Sequence, residues 1–473
     1  MSYFGIPVRN GLPIGLGTVA PLGINTFSPF SPASFFANGE QGWWYDPSNF
    51  ATLFQDSAGT TPVTAVEQPV GLQLDLSGRN NHRFQTTSAN RPVVSARVNL
   101  LTKTEQFDDA AWSKTATTIT ANSTIAPDGT TTADTLTMSS IAGILKFATS
   151  PTTVAGTFTQ ELSFRRGNAD WVVFFTSDGL SSYSAVWLNT STGDPGSVVN
   201  VGTFSGATAT VVPQNNGYFR LRLTFTKPAT AASDTFGVAV VNGNGSFVST
   251  IGQTTIIWGA DLRYTNQGIG LPVYQRVNTS TDYDSTGFPV YIKPNGSNQF
   301  MQTNSINFTA TDKMTVWQGV RKLSDLTTQS SGQNIIELSS IIDTNAGSFN
   351  LSGSIGFSTN IKFAFQSRGS ASGAGAATTL SALAAPVSAV LTGVGDISGD
   401  LGTLRVNGAQ VAQSTADQGT GNYGNYPAYF YMRGGTSLPF NGNDYGSIAR
   451  GAASTAAQIT NGETYINSLT KAY

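Results

Sequence analysis

The chain has 473 residues and a net charge of −2, with 39% hydrophobic, 11% aromatic and only 11% charged residues. That length exceeds one ordinary sandwich and points to two globular domains plus extensions, while the aromatic share excludes disorder, which goes with charge-rich, aromatic-poor sequence. Lys and Arg form no basic stripe, which argues against nucleic acid as a partner, and the absence of cysteine excludes a disulfide framework and any Cys-ligated metal.

A surface satisfied by Gly, Ser, Thr and Asn instead of charge is typical of β-rich, extracellular-type proteins. In chain order, residues 5–36 come first, with Pro and Gly too frequent for a helix or central strand. Ile6, Val8, Leu12, Ile14, Leu16, Leu22, Phe27 and Phe30 are nevertheless too apolar for a solvated linker. An arm docked onto another protein fits this pattern; packing on its own domain is the alternative. Arg9 is the only charged residue before Glu40, and no continuous apolar run follows it, so neither a signal peptide nor a membrane span is expected.

From Trp43 onward β patterning dominates. Asp46–Phe54 could give a turn or two of helix, with Asp46 as cap and Pro47 in first position. In Tyr218–Phe225, Phe219, Leu221, Leu223 and Phe225 share one face and Arg220, Arg222 and Thr224 the other, the period of a half-buried strand. Asn242-Gly243 marks a turn after Val238–Val241. Thr254–Tyr264 places Ile256, Trp258, Ala260, Leu262 and Tyr264 on one side. Gly369–Leu383 reads as a long loop or weak edge strand. Asn407-Gly408 between short strands signals a hairpin. A helix over about 454–469 is opened by Ser454 or Thr455. No exact short repeat occurs, which argues against a solenoid or propeller.

Three motifs, Trp44-Tyr45-Asp46-Pro47-Ser48, Phe54-Gln55-Asp56-Ser57-Ala58-Gly59 and Leu74-Asp75-Leu76-Ser77-Gly78-Arg79-Asn80-Asn81-His82, together resemble the opening of concanavalin A-like (laminin G-like) modules carried by many phage and prophage proteins. The continuation is delayed to 287–296, 305–317, 404–408, 440–442 and 445–448. Between them, Asn99-Leu100-Leu101, Phe107, Trp112, Ala126–Gly129, Thr132–Asp134, Trp258–Leu262 and Tyr274–Val277 are similar to the jelly-roll, carbohydrate-binding-module-like domains of phage fibres. The resemblance implies an all-β chain of two β-sandwiches, one inserted in the other. Its parts are an arm (1–40), the first part of a concanavalin A-like sandwich (41–98), an inserted jelly roll (99–280), and the remainder with a C-terminal helix (281–473). Pro294-Asn295 before Gly296 departs from the acidic turn of related modules and puts a family calcium site there in doubt.

With a single histidine and no cysteine, no Cys-His pair or two-imidazole metal site can form and a Ser-His-Asp triad would have to use His82, so no enzyme is expected. The resemblance further implies a phage virion protein, a tail fibre or adhesin on the virion surface. It would be made in the host cytoplasm, bind other virion proteins through its arm and contact host cell-surface glycans. A homo-oligomer is implied, with a trimer favoured. A capsid decoration or head-fibre protein and a polysaccharide depolymerase are the alternatives. Sugar binding needs aromatic faces and amide or carboxylate hydrogen bonds; Tyr423, Tyr426, Tyr429 and Tyr431 cluster around a Gly-Pro loop, and Trp43 is a further candidate if Trp44 enters the core. Ordinary strand and interface residues are the competing reading. His82, the single histidine, reads as structural at a strand start. Glu105, Asp108 and Asp109 read as a solvated turn, with no neighbour in sequence pointing to a raised pKa. No cofactor is expected. A metal site stays unassigned: Asp128, Asp134, Asp261, Asp282 and Asp284 are oxygen donors for a structural calcium, without an EF-hand loop.

Overall fold

A computed structural model describes residues 30–473, apart from 150, 153, 180, 230–233, 266–269, 326–331, 355–359 and 372–373. The fold is all-β. Among the described residues, four large sheets pack in two pairs, and the first pair also carries one two-stranded ribbon and one α-helix.

The first pair sets an eight-stranded sheet against a nine-stranded one. At the heart of the eight-stranded sheet, Gly442–Arg450 pairs with Lys313–Lys322 on one side and with Gly42–Tyr45 and Tyr291–Lys293 on the other. Every residue of Gly442–Arg450 is buried, because both faces of the sheet are covered. One face meets the nine-stranded sheet over Trp43, Tyr45, Phe349 and Phe430. The other lies under helix Ala456–Thr470 and the 3-10 turn Pro32–Phe36, with Phe35, Trp317, Ile448 and Ile466 between them.

The helix starts at the expected cap. The Thr455 hydroxyl accepts from the Gln458 N–H, and the Gln458 side chain accepts from the Thr455 N–H, so two otherwise orphaned donors are satisfied reciprocally. A Cβ on Gly462 would stand 2.6 Å from the Trp317 ring; only glycine lets the helix lie this close to the sheet. Phe35 and Phe36 are buried against the same sheet, which corrects the arm boundary: residues 30–40 pack on this chain's own sandwich. Phe30 itself stands 5.1 Å from Phe35, so that member of the expected anchoring set is engaged locally. Ile6, Val8, Leu12, Ile14, Leu16, Leu22 and Phe27 lie outside the described residues.

Strands of residues 42–95 hydrogen-bond with strands of 291–450, whereas strands between Trp112 and Tyr264 pair among themselves. The latter form two six-stranded sheets around Phe158, Leu162, Phe174, Val238 and Leu262. The chain comes into this block and leaves it side by side: the Gln275 side chain accepts from the Val98 and Asn99 N–H groups at 2.8 and 2.9 Å, and Leu100 N–H donates to Leu262 at 2.8 Å.

Several local expectations change. Asp46 closes a turn by accepting from the Ser48 N–H and hydroxyl, and only Phe50–Thr52 follows as a 3-10 turn; a short polar side chain competing for the backbone favours a turn over a helix. Asn242-Gly243 does not join paired strands, since Thr235–Val241 and Thr254–Tyr264 belong to different sheets. Along Thr254–Tyr264 the alternation slips at Gly259, which adopts φ +67°. There the register against Gly156–Arg166 shifts, Glu161 opposing Asp261 and Ser163 opposing Trp258. This bulge sends Ala260, Leu262 and Tyr264 into the main core but turns Ile256 and Trp258 outward onto Tyr218 and Tyr274. The hairpin at Asn407-Gly408 forms as expected, with φ of 51° and 79° at its two turn residues. Within Gly369–Leu383, Ala374–Thr378 is an edge strand of the nine-stranded sheet.

Candidate binding face

The aromatic residues singled out for sugar contact are mostly interior. Trp43 is 0% exposed, and its indole N–H donates to Ser447 Oγ at 2.9 Å. The outward partner is Trp44, whose indole reaches Tyr465 on the helix. Both Trp are needed because the strand is covered on both faces, and the one expected outside is the one between the sheets. Tyr423 and Tyr431 are buried as well: the Tyr423 hydroxyl bonds Ser367 Oγ at 2.6 Å, and Tyr431 donates to Asp444 at 2.5 Å. These three have no free face to stack on a sugar. Tyr426 and Tyr429 are half-buried, and Tyr426 spends its hydroxyl on the Ala346 carbonyl.

His82 accepts the Asp75 N–H on Nδ1 at 2.9 Å, a structural contact. The 105–112 turn is organised by Lys114, whose ammonium donates to the carbonyls of Phe107, Asp108, Asp109 and Trp112. Glu105 departs from expectation: burial pushes its carboxyl up, although Tyr274 donates to it at 2.9 Å. The calcium candidates do not converge. Asp128 closes a turn with Thr130, and Asp134 accepts the Phe107 and Asn122 N–H groups. Asp261 pairs with Arg263, and Asp282 and Asp284 share Arg276. Among the described residues no three His, Asp or Glu side chains gather as a metal cage.

A groove of about 300 Å³ lies on the outer face of the six-stranded sheet containing Gly156–Arg166, lined by Thr159, Glu161, Arg222, Thr224, Arg263, Tyr264, Thr265 and residues 270–273. Alternation builds it. Phe158, Leu162 and Phe164 enter the core, so Thr157, Thr159, Glu161 and Ser163 point away from it. On Phe219–Lys227, Leu221, Leu223 and Phe225 go inward and Arg220, Arg222 and Thr224 outward, as the sequence pattern predicts. Register then sets Glu161 between Arg222 and Asp261, and Thr159 between Thr224 and Arg263.

The polar groups form a connected set. Glu161 accepts from Arg220 Nε at 2.9 Å on one oxygen and from Arg222 Nε on the other. Asp261 accepts from Arg263 Nε at 2.8 Å, from its Nη2, and from the Gln275 N–H. Burial works against the charge on Arg263, but the adjacent Asp261 carboxylate outweighs it and raises the guanidinium pKa. The Thr159 hydroxyl links Thr224 at 3.3 Å and Thr265 at 2.9 Å. Each hydroxyl keeps lone-pair capacity for a ligand, so the face can exchange hydrogen bonds with a polyol. The outward positions of Arg220, Arg222 and Thr224 are readable from alternation, but their meeting with Glu161 and Thr159 depends on inter-strand register.

The opposite six-stranded sheet hides an aromatic cluster that sequence reading missed. Phe247 stands 6.3, 5.8 and 5.1 Å from Phe175, Tyr183 and Trp187, and Trp187 donates to the Ser246 carbonyl. The run Trp171–Phe175 is apolar at successive positions because one side faces the core and the other this cluster.

No family model matches the chain, and no curated protein matches it. Among solved structures it is similar to the binding domain of Paraclostridial Mosquitocidal Protein 1 (15% identity over 38% of this chain and 43% of that one, TM-score 0.30). It is similar also to the binding domain of botulinum neurotoxin DC in complex with SialylT (14%, 36% and 40%, TM-score 0.27) and to mouse laminin alpha1 domains LG4-5 (12%, 63% and 82%, TM-score 0.24). The aligned stretch spans less than half of the first two of these chains, and at such scores the likeness carries no inference about what this chain binds.

Proposed function

We propose that this chain is a non-enzymatic phage virion surface protein of the tail-fibre or adhesin kind, which binds host-surface glycans through the groove on the six-stranded sheet containing Gly156–Arg166. The observation that carries the reading is the groove itself: a concave set of threonine hydroxyls, carboxylates and guanidinium groups held by strand register, of a size at the lower end of small-molecule sites. The adjoining passages at 98–100 and 262–275 support a jelly roll inserted into a loop of the concanavalin A-like sandwich, since a guest domain needs its ends close together. The resemblance at the sequence level supports the virion setting, attachment through residues before Phe30 and a trimeric assembly.

A binding role fits the groove's chemistry better than hydrolysis. Retaining and inverting glycosidases need two carboxyl groups free to act on the glycosidic bond, whereas both oxygens of Glu161 and of Asp261 are already engaged by arginines. The test is a glycan array with the wild-type chain and Thr159→Val/Thr224→Val, an isosteric change on a β-strand. Loss of about tenfold or more in binding is expected, since each lost hydrogen bond is worth about 0.5–1.5 kcal/mol. Undiminished binding, or release of reducing ends from a bound polysaccharide, overturns the proposal.

A further inference from the structure

We infer that the groove selects sugars bearing a carboxylate, with Arg222 as the residue that reads it; this rests on the glycan-binding reading above. Three arginines and two carboxylates meet at this face: Glu161, Asp261 and Arg263 are engaged by their neighbours, and Arg220, which keeps one Nη2 without a partner, is 2% exposed and does not line the groove. Arg220 and Arg222 occupy the two oxygens of Glu161. Arg263 is spent on Asp261 and on the carbonyls of Pro272 and Val273 at 3.0 and 3.2 Å. Arg222 is the arginine whose unengaged end is open to the groove. Its side chain is 46% exposed, only its Nε is engaged, and among the described residues no acceptor meets its two terminal nitrogens. Those nitrogens belong to a side chain that lines the groove.

The unspent end of a guanidinium is a planar fork of parallel N–H donors. It matches the two oxygens of a carboxylate, giving charge-assisted bonds roughly twice as strong as neutral ones. The Glu161 carboxylate behind it fixes the fork's orientation, so little rotamer freedom remains to be lost on binding. The excess of one positive charge suits a monoanion. Leu271, Pro272 and Val273 form the opposite wall, with Val273 50% exposed, and offer apolar surface to the C–H face of a sugar ring. Thr159 and Thr224 supply hydroxyls at the floor.

The experiment uses the full chain and a panel of immobilised bacterial surface polysaccharides containing hexuronic acids, each presented natively and after chemical reduction of its carboxyl groups to alcohols. Sulfated and phosphorylated polymers without carboxylates complete the panel. The wild-type protein is expected to bind a native polymer about tenfold or more tighter than its reduced form, with the difference shrinking as salt rises. Arg222→Gln is expected to erase that difference, and Arg222→Lys, which keeps the charge but not the fork, to restore only part of it. Equal binding of native and reduced forms, a preference that survives Arg222→Gln, or binding confined to the sulfated or phosphorylated polymers overturns the inference while leaving glycan binding intact. Binding to no member of the panel overturns the glycan reading itself.

Discussion

Arg83 and Asp444 are 361 residues apart in sequence and form a fully buried ion pair at 2.7 Å between the two sheets of the outer sandwich. Arg83 also donates Nε and Nη2 to Gln73 at 2.9 and 2.6 Å, and its guanidinium lies over Tyr45 and Phe430 at 4.7 and 4.8 Å. Asp444 accepts in addition from Tyr431, from Gln318 at 2.6 Å and from the Gly446 N–H. Arg83→Met keeps bulk but leaves the Asp444 carboxylate in the core without its counter-ion, which costs about 3–5 kcal/mol. For a sandwich of this size about 2–4 °C accompany each kcal/mol, so its transition should fall by roughly 10 °C. Arg83→Met/Asp444→Leu removes both charges and should cost less than the two single changes summed. Calorimetry of the full chain is the assay, because the 99–280 block holds none of these residues and its own transition should stay in place. A shift under about 2 °C for Arg83→Met, which equals about 1 kcal/mol or less, would refute the view that this pair fastens residues 41–98 to the remainder of the sandwich.

Deleting residues 99–280 and closing the gap with a short linker should leave that sandwich folded, by near-UV circular dichroism; unfolded products across several linkers would count against insertion. Burial raises the Asp134 carboxyl to about 6. Since the native state then holds a proton that the unfolded state has lost, this group's contribution to stability falls as pH rises from about 4 through 6. Asp134→Asn should flatten that part of the block's melting-temperature profile, and an unchanged slope would contradict it. On the virion reading proposed above, removing residues 1–29 should leave melting unaltered yet abolish incorporation into particles, and normal incorporation would refute attachment through the arm; the cut must precede Phe30, because Phe35 stacks 5.0 Å from Trp317 and its carbonyl accepts from Arg450.

What was legible in the sequence was whatever one strand decides by itself. The alternation of Phe219 to Phe225, the turn at Asn407-Gly408 and the cap at Thr455 are set by nearest neighbours, and each appears where its chemistry requires. What was not legible depends on a second element. Trp43 and Trp44 alternate in any strand, but which one enters the sandwich depends on a helix more than 400 residues later covering the opposite face. The outward turn of Ile256 and Trp258 follows from a one-residue bulge at Gly259, and a glycine within a strand signals a bulge without saying which face the flanking residues take.

The same division separates the tyrosine cluster, of which Tyr423 and Tyr431 are buried, from the groove. Tyr423, Tyr426, Tyr429 and Tyr431 are close in sequence, but closeness in sequence does not make a shared surface. Strand geometry separates them instead: Tyr431 turns to the Arg83–Asp444 pair and Tyr423 to Ser367, because an amphipathic phenol is the side chain best able to fill a core while satisfying a buried polar group. The groove is the reverse case. Thr159, Glu161, Arg222 and Arg263 are scattered over more than a hundred positions and become one surface only through antiparallel register. A one-residue slip of Phe219–Lys227 would bury Arg222 and expose Leu221 and Leu223, so the apolar face that fixes the register also fixes the groove. The outward placement of Arg222 is therefore a consequence of core packing on the other side of the same strand.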